Sequence, residues 1–63
     1  MYTLGEKPRT PSEAYDTLET VFGASEFDAE EAAGALVEVM DMSATDAQRT
    51  LQSLLSAGAI EEV

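Results

Sequence analysis

The chain has 63 residues, enough for one domain and not for two. It carries 13 acidic against 3 basic residues, a formal charge of -10, and no cysteine or histidine, so disulfide staples and thiolate or imidazole metal sites are excluded. No apolar run approaches the roughly 18 residues of a membrane span, and the N-terminus lacks the apolar stretch of a signal peptide, so the expectation is a soluble, cytoplasmic protein with no membrane partner.

Residues 1–9 hold "YTL", then Gly5 and Pro8. Tyrosine and threonine favour the pleated conformation, so "YTL" reads as a short strand followed by a connector. In "TPSEAYDTLETVFG", Thr10 reads as N-cap, with Pro11 at the first helical position and Glu13 three residues past the cap. Ala14, Leu18, Val21 and Phe22 then fall on one helical face, with Tyr15 flanking it, and Gly23 supplies a left-handed stop. The spacing predicts a first helix over Thr10–Phe22.

After "ASEF", Asp28 is the next N-cap, with Glu31 at the third helical position. Ala29, Ala32, Ala33, Leu36 and Met40 share a face, widened by Val37 and Val39, while Glu30, Glu31 and Glu38 point to water. Gly34 stands inside this second helix, expected over Asp28–Met40, at about 1 kcal/mol relative to alanine. Two readings stay open for it: close approach of another helix, or a tolerated flaw.

"MDMS" breaks the chain before a third helix over Ser43–Ala57. Ser43 caps it, Asp46 favours the positive end of its dipole, and Ala47, Leu51, Leu54 and Leu55 form its buried face. Gly58 stops it, and "AIEEV" follows as a short strand whose natural partner is "YTL", the alternative being an edge that pairs with another subunit. Leu18, Phe22, Leu36, Leu51, Leu54 and Leu55 are the expected core, with Phe27 and Met40 beside them. The side of Met42 is undecided.

Three short capped helices with a strand after the third resemble the winged-helix branch of the helix-turn-helix superfamily. The resemblance covers residues 12–63. It rests on "FDAEEAAGAL", similar to the helix before the turn, and on "SATDAQRTLQSLLSAGAIEEV", similar to the recognition helix running into the first wing strand. It implies small residues such as Ala32, Ala33 and Ala47 where these two helices cross. Two departures stand out: "VEVMDM" is longer than the tight turn of the simplest members, which a longer second helix would absorb, and the sequence ends where a second wing strand is expected. The expected fold class is therefore mainly α: one winged-helix-like three-helix domain over 1–63, with a short two-stranded sheet formed by the N- and C-terminal segments. Abundant carboxylates, one lysine and abundant alanine also resemble the composition of proteins from extreme halophiles. The alternative is an acidic mesophilic domain kept soluble by its charge.

The resemblance implies that the exposed face of the third helix is the recognition surface: Thr45, Asp46, Arg49, Gln52, Ser53 and Ser56. Arginine and glutamine are apt readers of guanine and adenine, yet both also populate any solvated helix face. Duplex binders make about 6–10 phosphate contacts, and this chain has 3 cations in all. A protein partner therefore ranks ahead of DNA, with charge setting specificity. A homodimer is also expected, because small domains without staples lean on oligomerisation. Catalysis is not expected: no histidine or cysteine is present, and neighbouring carboxylates such as Glu30–Glu31 and Glu61–Glu62 diverge. No phosphate loop, nucleotide fingerprint or calcium loop appears, so no cofactor and no metal is assigned.

Overall fold

The computed structural model describes residues 1–63. The element order is β1 (Tyr2–Leu4), α1 (Glu13–Phe22), α2 (Ala29–Met40), α3 (Ala44–Ser56) and β2 (Ile60–Glu62). β1 and β2 pair antiparallel, with Tyr2 opposite Glu62, Thr3 opposite Glu61 and Leu4 opposite Ile60. The fold is thus mainly helical, closed by a two-stranded sheet from the two ends of the chain. No helix is long and apolar enough to cross a membrane.

α1 begins later than its sequence suggests. Ser12, not Thr10, is the N-cap: its backbone is extended and its hydroxyl accepts from the Tyr15 N–H at 3.1 Å. The box from Thr10 to Glu13 therefore does not form. Serine is the stronger cap of the two, and the later start aims Tyr15 inward, where its hydroxyl donates to the Gly5 carbonyl at 3.2 Å. Tyr15 is accordingly part of the core rather than a flank. The opposite correction applies to Val21, which is 48% exposed. Gly23 ends α1 without adopting the left-handed helical conformation. Its φ of 58° and ψ of -123° match the first central position of a type II′ turn, closed by the Ser25 N–H on the Phe22 carbonyl at 3.0 Å.

α2 opens on the expected reciprocal cap. Asp28 Oδ1 accepts from the Glu31 N–H at 2.6 Å, and Glu31 Oε1 accepts from the Asp28 N–H at 3.4 Å. The helix runs to Met40 and ends on Asp41 in the left-handed region, a conformation aspartate tolerates. A longer second helix thus absorbs "VEVMDM", and only Asp41, Met42 and Ser43 connect α2 to α3. Ser43 caps α3 through the Asp46 N–H at 3.1 Å. At its far end, Gly58 (φ 78°) donates to Leu55 and Ala59 donates to Leu54, the paired bonds of a Schellman stop. This stop turns the chain directly into β2.

The core is wholly apolar, and alanine supplies Ala14, Ala32, Ala47 and Ala59 of its members. Small side chains at Ala14, Ala32 and Ala47 let α2 lie close to its neighbours α1 and α3. Bulk comes from Phe27, Leu18 and Leu36, the largest fully buried side chains, with Tyr15, Leu51, Leu54 and Ile60 around them. Phe22, Leu55 and Met40 are half-buried at the rim, as is Met42, whose sulfur lies 3.8 Å from the Thr50 hydroxyl. Val39 does not widen the core face; it is 62% exposed.

Candidate functional site

α2 and α3 are joined by a three-residue turn and pack against each other. Between them lies an open groove, lined also by Tyr2, Phe27 and Ile60. The α2 wall is the stripe Ala29, Glu30, Ala33, Gly34, Val37 and Glu38. The α3 wall includes Ala44, Thr45, Gln48, Arg49, Gln52 and Leu55. The floor is apolar: Ala32, Leu51 and Ile60 are buried core residues reached from outside.

All six residues of the expected recognition face, Thr45, Asp46, Arg49, Gln52, Ser53 and Ser56, are exposed. The groove gathers only part of the set: Thr45, Arg49, Gln52 and Ser53 line it, and Asp46 and Ser56 do not. The backbone of Asp46 is engaged in the helix start: its N–H meets Ser43, and its carbonyl accepts from the Thr50 hydroxyl at 2.8 Å. Arg49 is the one cation beyond residue 9. It takes part in none of the side-chain hydrogen bonds of the chain. Its guanidinium is therefore free to meet a ligand at the groove.

The α2 wall was the part hidden from sequence reasoning. The one signal pointing to it was Gly34. A Cβ built there meets nothing within 4 Å, so no packing within this chain requires the glycine. Close approach of α3 is not its role, because the position opens onto the groove.

The groove holds two carboxylates, Glu30 and Glu38, on rim positions exposed to water. No group of three carboxylates gathers into a metal-binding cluster, and no buried polar side-chain atom is left without a partner. Such a surface can bind by shape, apolar contact and charge. A second, shallower depression lies between α1 and the end of α2, where Val21 and Val39 flank Glu13 and Asp16. No family model, curated protein or solved structure matches the chain.

Proposed function

We propose that the chain is a non-enzymatic interaction or regulatory module of winged-helix kind, and that its α2–α3 face binds another protein. The observation that carries this reading is the open apolar groove whose walls hold one cation and two carboxylates. Apolar floor with a polar rim is the anatomy of a protein-binding patch. The winged-helix assignment is supported by the order strand, three helices, strand, with a three-residue turn between α2 and α3. The alternative is a DNA-binding transcriptional regulator working at high salt. Its support is that Arg49 and Gln52, both suited to base edges, share this surface. The charge of -10 favours the protein partner, because it repels a duplex.

Photo-crosslinking in the native host separates the two. A photoreactive residue replaces Gln52 in the groove, with Thr20 on α1 as the off-site control. Protein adducts at Gln52 and not at Thr20 are expected. Nucleic-acid adducts at Gln52 would make the regulator the leading account, and equal labelling at both positions would remove the groove as the functional surface.

A further inference from the structure

Resting on the interaction-module reading, we infer that the groove receives a cationic amphipathic helix of the partner protein. Three features select that occupant. The first is size. The groove is an open depression of roughly 1320 Å³ lined from both α2 and α3, larger than the about 300–1,000 Å³ of small-molecule pockets and suited to a helix laid in a groove.

The second feature is charge. Glu30 and Glu38 both line the α2 wall and are exposed. Eight helical residues separate them by about 12 Å along the axis. A helix laid along α2 presents residues seven or eight apart at about the same interval, so lysines or arginines two turns apart meet both carboxylates. The apolar residues between them reach Ala33 and Val37. Opposite, the free Arg49 meets either an acidic side chain on the far flank of that helix or its C-terminal carbonyls. A second copy of this chain suits the groove poorly, since it adds another -10 of charge. A duplex is disfavoured for the same reason.

The third feature is Gly34. It weakens α2 by about 1 kcal/mol relative to alanine, and nothing in the chain occupies the space a side chain would take. A partner helix pressed against α2 uses that space. The missing side chain then has a consequence in the complex that it lacks in the free chain.

The probe is a synthetic 16-residue amphipathic helix with lysines seven apart flanking leucine and alanine. Its controls are a scrambled peptide of equal charge and a version with glutamate in place of lysine. Binding to the full chain is followed by amide shifts and calorimetry at about 0.15 M salt, with circular dichroism confirming the fold of every variant. Shifts confined to residues 29–38 and 44–55 and to Tyr2, Phe27 and Ile60, which also line the groove, are expected, with at least tenfold weaker binding of both controls. The double variant Glu30→Gln, Glu38→Gln is expected to lose about tenfold in affinity, and Gly34→Leu at least tenfold. Gly34→Ala provides a milder second test, expected to bind more weakly although its helix is the stronger one. Equal binding of the scrambled peptide, or unchanged affinity in both the Glu30/Glu38 and Gly34 variants, would overturn the inference. So would a dimer in sedimentation that Gly34→Leu dissociates, which would assign the groove to a second copy. Protein adducts at Gln52 together with no peptide binding would reject the cationic helix and leave the module standing. Nucleic-acid adducts at Gln52 would reject the module itself.

Discussion

Tyr2 and Phe27 exchange two backbone hydrogen bonds, the Tyr2 N–H to the Phe27 carbonyl at 2.7 Å and the Phe27 N–H to the Tyr2 carbonyl at 2.9 Å. The pair sits on the edge of β1 opposite β2, so β1 is held on both sides although the sheet has only two strands. A two-stranded pairing by itself is marginal in water. Here it is anchored through Phe27, whose ring is fully buried and stacks on Phe22 with centroids 4.7 Å apart.

Phe27→Ala keeps both backbone bonds to Tyr2 but removes the largest fully buried side chain, the ring that fixes this segment in the core. The expected loss is about 3–5 kcal/mol. Domains are stable by about 0.05–0.15 kcal/mol per residue, or roughly 3–9 kcal/mol here. A denaturant titration should show the unfolding midpoint lowered by an amount corresponding to that loss. A loss below about 1 kcal/mol would mean that Phe27 does not hold β1 in place.

Gly5→Ala should also destabilise, for a different reason. Gly5 donates to the Ala59 carbonyl at 2.7 Å, and a Cβ at position 5 would lie 2.5 Å from the Gly58 carbonyl oxygen and 2.9 Å from Glu61 Cγ. The Glu61 side chain can swing away. The Gly58 carbonyl belongs to the turn that stops α3 and cannot move without disturbing that stop. A cost of about 1–3 kcal/mol is expected from such overpacking. Thermal melts would check it, and an unchanged melting temperature would show that the ends of the chain pair more loosely than this.

The same substitution at Gly34 should act in the other direction. The added methyl meets open space, and alanine is the better helix former by about 1 kcal/mol. A gain of up to that amount is expected in the free chain. A loss of stability would place an unseen constraint on the middle of α2.

What the sequence made legible was set by local chemistry. The Asp28–Glu31 box, the Ser43 cap and the Gly58 stop each involve residues within a few positions of one another, and each formed at its expected place. "YTL" and the C-terminal segment were the only two strand candidates, so their pairing was legible, whereas its antiparallel sense and its formation within one chain come from the structure. The start of α1 was harder, because Thr10 and Ser12 are both competent caps. The choice depends on Tyr15 reaching Gly5, a contact ten residues long in sequence. Val21 and Phe22 flank one helical stripe, and only the placement of Phe27 decides that Phe22 turns inward while Val21 stays in water. The groove was the least legible feature. It depends on which stripes of α2 and α3 remain uncovered after the helices dock, and that is a property of their crossing rather than of either periodicity.

Stability should rise with added salt into the molar range. The chain carries -10, and Lys7, Arg9 and Arg49 enter none of its side-chain hydrogen bonds. Self-repulsion therefore opposes the compact state with little local compensation. Molar salt shortens the Debye length to about 3 Å and screens most of it. Melting temperatures across a potassium chloride series should climb steadily. A flat or falling series would remove the halophilic reading and leave an ordinary acidic domain.

The isolated chain should not bind duplex DNA strongly at any salt. Low salt is where a cationic contribution would be largest, since binding falls steeply as salt rises. It is also where the surplus carboxylates repel a duplex most, so intermediate salt must be included. On the groove face only Arg49 offers a positive charge, with Gln52 beside it as a second base reader and Glu30 and Glu38 on the opposite wall. A helix entering the major groove would bring those carboxylates toward phosphates. Titration of random and genomic duplexes across salt, with circular dichroism confirming folding at each point, decides the matter. Submicromolar binding abolished by Arg49→Ala would reverse the ranking and make transcriptional regulation the leading account. Micromolar or weaker binding, unchanged by Arg49→Ala, is the expected result, because three cations cannot supply the phosphate contacts on which duplex affinity rests.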